Sequence, residues 1–261
     1  MNPFFFGSSQ QPLYGVYHPP KARVPRRTGV VLCYPLWQEY MRAHRAFRQL
    51  AMLLSKAGFP VLRFDYFATG DSGGAGEEGD VTRWVTDIGM AIDELKDMAS
   101  VPKVSLVGLR VGAALAAAAA VRRSDLDQVL LWDPVISGAR FVEQVMARHG
   151  VATTNGGNGN GASTLGVDGF PLTETMRRGL QGIDLLEASA PNARELVVVV
   201  SDERKDYVEL RDRLAQRRVK ARYTHIPSAG NWDEIDKFGS ALLPQQIIQG
   251  IVSCLAGEAV S

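Results

Sequence analysis

Histidine and cysteine are scarce in this chain of 261 residues: four of the first and two of the second. The cysteines, Cys33 and Cys254, lie near opposite ends and make no disulfide framework. The histidines, His18, His44, His149 and His225, are scattered without metal-ligand spacing, so no metal is expected. Excess charge is missing too. Lys and Arg number 29 against 28 Asp and Glu, a net charge of +1, which leaves no broad field to recruit nucleic acid or an anionic membrane. Long apolar runs are absent. The most apolar helical stretch, Val111 to Val121, is too short to span a bilayer, and the opening Met1–Gly7 has no basic segment ahead of an apolar one. A cytoplasmic location is the expectation. The glycine-rich loop Thr69–Gly79 lacks the Gly-Lys-Ser/Thr ending of a phosphate-binding loop, and no helix-opening dinucleotide fingerprint follows a strand, so no cofactor is expected. Partners narrow to a small-molecule or peptide substrate, with the chain a monomer or homodimer.

What is present is an ordinary globular composition, 46% hydrophobic and 22% charged, long enough to bury one full core. Apolar runs alternate with helical periodicity, which predicts an α/β fold with a mostly parallel twisted sheet flanked by helices. The strands expected are Gly29–Tyr34, Phe59–Phe64, Val104–Val107, Gln128–Trp132, Leu196–Val200 and Ala221–Ile226. Helical spacing appears at Phe47, Leu50 and Leu54, at Val81 through Leu95, at Leu210 and Leu214, and at Ile247 through Leu255. Residues 137–190 break the rhythm and contain no convincing core strand. They hold helical fragments at Arg140–Arg148 and Thr173–Leu186, and a mobile loop is expected at Thr153–Ser163, with four Gly and three Asn in eleven residues. The division expected is a core of 1–136 and 191–261 with a lid insertion of 137–190.

The chemistry-bearing segment is Val104-Ser105-Leu106-Val107-Gly108-Leu109-Arg110-Val111-Gly112, a buried strand, a Gly-x-x-x-Gly turn and an alanine-rich helix. With Ser at its centre this turn is a nucleophile elbow, whose glycines leave room for a sharp, strained backbone. Here Arg110 stands at the tip, and a guanidinium stays protonated and cannot attack a carbonyl.

The order of pieces over nearly the whole chain resembles the α/β-hydrolase superfamily. Ala57–Asp65 resembles the segment entering that fold's fourth strand, Gly70–Gly74 the loop after it, Val197–Asp206 the strand and loop of the acid, and Ile226–Trp232 the loop of the histidine. More narrowly, Tyr34–Tyr40 with His44-Arg45, Gly108-Leu109-Arg110 and Leu131–Pro134 resemble serine-aminopeptidase-like, exosortase-associated hydrolase-like proteins. By this resemblance the nucleophile position falls on Arg110, the acid on Asp206 (Asp202 second) and the histidine on Asn231. An asparagine amide has no useful proton affinity, so two of the three parts are absent. Pro35, where such proteins form an oxyanion turn, has no N–H to donate.

Each candidate has a structural reading beside a functional one. Arg110 either holds a ligand carboxylate, phosphate or carbonyl, or forms an ion pair with Asp206, Glu39 or Asp133. His44 is a base oriented by Glu39, or a structural histidine at a helix start. Cys33 is a relocated nucleophile, or core packing. Cys33, Tyr34, Trp37, Glu39, Asp133 and Trp232 are expected to contact substrate; Trp37, Trp132 and Trp232 either line an aromatic pocket or pack in the core. The leading expectation is a triad-less protein that binds an acyl or peptide intermediate of specialised metabolism and catalyses a non-hydrolytic, substrate-assisted epimerisation or isomerisation. In kind this resembles triad-less members of the fold such as the bottromycin epimerase. The alternatives are a non-catalytic ligand-binding pseudo-hydrolase and a hydrolase or thioesterase using Cys33 or water.

Overall fold

A computed structural model describes residues 1–149, 152–154, 164–167, 169–228, 232 and 243–258. The sheet is built on the apolar runs. β3 (Thr28–Cys33), β4 (Val61–Phe64), β5 (Lys103–Leu109), β6 (Leu126–Trp132) and β10 (Glu195–Val200) are buried almost end to end, as strands covered by helices on both faces must be. They pair in parallel in the order β4-β3-β5-β6-β10, and β11 (Ala221–His225) closes the far edge. β1 (Asn2–Ser8) and β2 (Gln11–His18) form an antiparallel hairpin that joins the sheet through β2 and β4, giving eight strands in the order β1-β2-β4-β3-β5-β6-β10-β11. This hairpin is not anticipated by the sequence reading.

The crossovers are helices: α1 (Trp37–Lys56) after β3, α2 (Val81–Ala99) after β4, α3 (Val111–Ala120) after β5 and α6 (Lys205–Gln216) after β10, with α7 (Gln245–Ala256) following β11. Between β6 and β10 the chain inserts α4 (Gly138–His149), a small antiparallel sheet of β7 (Ala152–Thr154), β8 (Thr164–Val167) and β9 (Phe170–Leu172), and α5 (Glu174–Gln181). None of these strands joins the core sheet, but their presence corrects the expectation of helices and loop alone. Thr153 and Thr154 belong to β7, and the rest of the expected mobile loop lies outside the described residues. Arginines of α6 hold the return from the insertion: Arg213 bonds Leu186 O and the Glu187 carboxylate, and Arg217 bonds Ala188 O. The Arg211–Lys220 run is therefore partly a clamp as well as a solvated face.

Parallel pairing places the carboxyl ends of β3, β5 and β6 side by side, where ligands of open α/β sheets bind. Among the described residues no helix is long and apolar enough to cross a membrane.

Candidate functional site

Arg110 sits at the tip of the β5–α3 turn with φ 56° and ψ −119°, a conformation that costs a non-glycine residue about 1–3 kcal/mol. Three backbone bonds hold it there. Its N–H donates to Trp132 O at 3.1 Å, and its carbonyl accepts from Ala113 N at 3.1 Å and Val135 N at 3.2 Å. The flanking glycines are sterically required. A Cβ at Gly108 would lie 2.3 Å from Gly112 O, and one at Gly112 would lie 2.3 Å from Tyr34 O. The turn is thus pressed against both its own helix and the exit of β3.

The Arg110 side chain is answered by Glu39. Nε donates to Glu39 Oε1 at 3.0 Å, with the two side chains 8% and 7% exposed. Glu39 lies in the first turn of α1, where the helix dipole favours a carboxylate. Of the three acids considered for Arg110, Glu39 makes the ion pair. Asp133 offers only its backbone carbonyl, at 3.5 Å from Nη1. Asp206 opens α6, bonds Tyr207 N and pairs with the Arg204 guanidinium at 3.4 Å. The acid of the resemblance therefore points to its own helix start. Asn231 lies outside the described residues.

Asp133 has a different occupation. Its carboxylate accepts from Ser201 N at 2.7 Å, Ser201 Oγ at 3.0 Å and Trp232 Nε1 at 3.1 Å. These bonds tie the exits of β6 and β10 to the segment after β11. Burial pushes its carboxyl above the ordinary range while the three donors pull it back. Trp232 is buried and stands edge-on to Trp132, 5.2 Å between ring centres. Both are core residues. Of the three tryptophans, Trp37 alone lines the cleft beside Arg110, its ring stacked on Phe141 at 6.2 Å.

That cleft opens to solvent. Its floor is Trp37, Glu39 and Arg110; Phe141, Gln144, Val145 and Arg148 of α4 form the facing wall. The α4 residues were missed by reading motifs alone. Their signal is the amphipathic spacing of Phe141, Val145 and Arg148 in a helix that follows β6.

Three expected site residues lie elsewhere. Cys33 is fully buried, and burial pushes its thiol far above the ordinary value. It faces Tyr66 inside the core and cannot meet a substrate. Tyr34 is buried too, accepting from Arg63 Nη1 at 2.8 Å, and does not reach the Arg110 cleft. His44 is exposed on the other side of α1, stacked on Tyr34, so Glu39 does not orient it. Ser72 is occupied structurally, donating to Asp65 O at 2.6 Å and accepting from Tyr14 N at 2.8 Å. His225 is exposed at the end of β11 rather than packed. Among the described residues no three His, Cys, Asp or Glu side chains gather as a metal site.

No family model matches this chain, and no curated protein matches it. Solved structures do. Est1E from Butyrivibrio proteoclasticus, in complex with ferulic acid, is 16% identical with a TM-score of 0.65, over 97% of this chain and 96% of that one. Mouse alpha/beta hydrolase domain-containing protein 10 is 16% identical with a TM-score of 0.60, over 98% of each chain. A lidless α/β serine hydrolase from Xanthomonas campestris is 15% identical with a TM-score of 0.57, over 87% and 83%. At such identities the likeness is one of fold. The chain has the α/β-hydrolase fold, with an arginine at the tip of its elbow.

Proposed function

We propose that this chain uses the hydrolase scaffold for proton transfer rather than hydrolysis. Its ligand is an acyl or peptidic molecule held in the cleft between α1, the elbow and α4. The observation that carries the reading is the Arg110–Glu39 pair at the nucleophile position. A guanidinium cannot form an acyl-enzyme, but its N–H groups can stabilise an oxyanion growing on a carbonyl. Glu39 then stands beside that oxyanion as the base that removes a proton from the adjoining carbon. Once the protonated Glu39 carboxyl has exchanged with water, reprotonation on the same face leaves a solvent hydrogen on the carbon; delivery by water to the other face inverts the centre, and Glu39 then gives its proton to solvent. The base is then a carboxylate of the chain itself rather than a group of the substrate. The burial of Cys33 argues against a thiol nucleophile, and the placement of His44 on the far side of α1 argues against a Glu39-oriented histidine base. α4 and Val167 of β8 serve as a roof on the cleft.

A second reading, binding without turnover, is favoured by the low exposure of both paired side chains. The test is incubation in deuterated water with N-acetyl-phenylalanine methyl ester, read by mass spectrometry. Proton transfer adds one mass unit to intact ester, and Arg110→Ala abolishes the gain. Saturable binding without deuterium leaves the second reading, and cleavage to acid and methanol overturns both.

A further inference from the structure

A second cleft lies on the opposite side of α1, and it shares no lining residue with the Arg110 cleft. It lies between α1 and the β2–β4 edge with a cavity of about 300 Å³, and Arg63, Asp65, Tyr34, His44, Arg48 and Asp71 reach it. Arg63, on β4, is 5% exposed and yet makes no ion pair among the described residues. Its Nε donates to His18 Nε2 at 3.1 Å and its Nη1 to the Tyr34 hydroxyl at 2.8 Å, both uncharged partners. Burial and the neighbouring Arg63 hold His18 down at about 4, so it stays neutral and accepts. The third nitrogen, Nη2, has no hydrogen-bond partner among the described residues, and Arg63 lines the cleft.

Across the same cleft stands the reverse arrangement. Asp65 is 6% exposed, and its oxygens accept one bond each, from the Tyr40 hydroxyl at 2.9 Å and from Asp71 N at 3.0 Å. Among the described residues neither Asp65 nor the exposed Asp71 at the rim is paired with a cation, although Arg63 and Arg48 line the same space. A buried charge without a counter-charge is costly to the fold, and two of opposite sign kept apart in one cavity cost more than a pair in contact. A ligand carrying both signs relieves both ends at once.

We infer that this cleft is a binding site for a small amino carboxylate, whose carboxylate meets Arg63 and whose ammonium meets Asp65 and Asp71. A dianion such as phosphate fits less well, because the two aspartates repel it. The inference is independent of the reaction proposed at Arg110.

The test is calorimetric titration of the whole chain with the ω-amino acids from glycine to aminohexanoate. Propionate, n-butylammonium and inorganic phosphate are the comparison ligands. One chain length is expected to bind at least about tenfold tighter than either monofunctional probe. Arg63→Met removes that binding. Asp71→Asn, at an exposed position that leaves folding intact, weakens the amino acid several-fold without changing propionate. Equal affinity for amino acid and propionate overturns the assignment, as does preference for phosphate, insensitivity to Asp71→Asn, or no saturable binding of any probe.

Discussion

Removing Glu39 should destabilise the chain far more than removing Glu39 and Arg110 together. The pair is bonded at 3.0 Å with side chains 8% and 7% exposed. Glu39→Ala takes the Nε partner from a guanidinium that cannot lose its proton and is only 8% exposed, a loss of about 3–5 kcal/mol for a buried pair broken on one side. With a urea slope of about 2–3 kcal/mol per molar, the midpoint falls by roughly 1–2 M. Arg110→Met with Glu39→Met fills similar volume without charge, and its midpoint should return to within about 1 kcal/mol of the parent chain. Urea unfolding followed by tryptophan fluorescence of the parent chain, Glu39→Met, Arg110→Met and the double variant closes a double-mutant cycle and gives the coupling directly, with Glu39→Ala measured beside them. If the double variant loses the sum of the two single losses, the pair is not the counter-charge system described here. If Glu39→Ala costs less than about 1 kcal/mol, the pair is effectively solvated, as surface ion pairs are.

Other consequences follow from particular contacts. Gly112→Ala puts a methyl group 2.3 Å from Tyr34 O and 2.4 Å from Cys33 O, both backbone, so thermal unfolding should show a loss of about 3 kcal/mol or more. Cys33 should resist a thiol-reactive dye at neutral pH in the native chain and react on unfolding; rapid native labelling would contradict its burial. His18 is held at about 4 against an ordinary 6.5, so the unfolded chain binds its proton first as pH falls. The stability that a neutral His18 provides is complete above about 6.5 and declines as pH drops toward 4, by which point roughly 2–3 kcal/mol has been lost. His18→Gln should flatten that part of the urea-midpoint profile; the comparison isolates His18 from Asp65, Asp87 and Asp133, whose raised carboxyls act in the opposite sense.

The core strands were legible in the sequence because β3, β5, β6 and β10 are buried on both faces and read as unbroken apolar runs. The β1–β2 hairpin was not, because β1 is an edge strand that buries Phe6 alone among its seven residues. The elbow was legible from the spacing of Gly108 and Gly112, which reports a backbone packed too closely for a Cβ. The partner of Arg110 was not, since three acids had equal claims until the β3–α1 turn set Glu39 over the end of β5. Asp206 was misjudged because the distance from β10 does not reveal that α6 begins at Lys205. The pairing of His44 with Glu39 was refutable earlier, as residues five apart on a helix point about 140° from each other. Arg63 carried no motif at all, and its isolation from carboxylates exists only in three dimensions.

The measurement that reaches the central claim most directly is α-proton exchange of one enantiomer of N-acetyl-phenylalanine methyl ester, followed by NMR in deuterated water with the parent chain, Glu39→Gln and Arg110→Ala. The account predicts loss of the α-proton signal with the methyl ester intact in the parent chain, ligand binding without exchange in Glu39→Gln, and neither binding nor exchange in Arg110→Ala. Release of methanol by the parent chain, or exchange that survives Glu39→Gln, would contradict it.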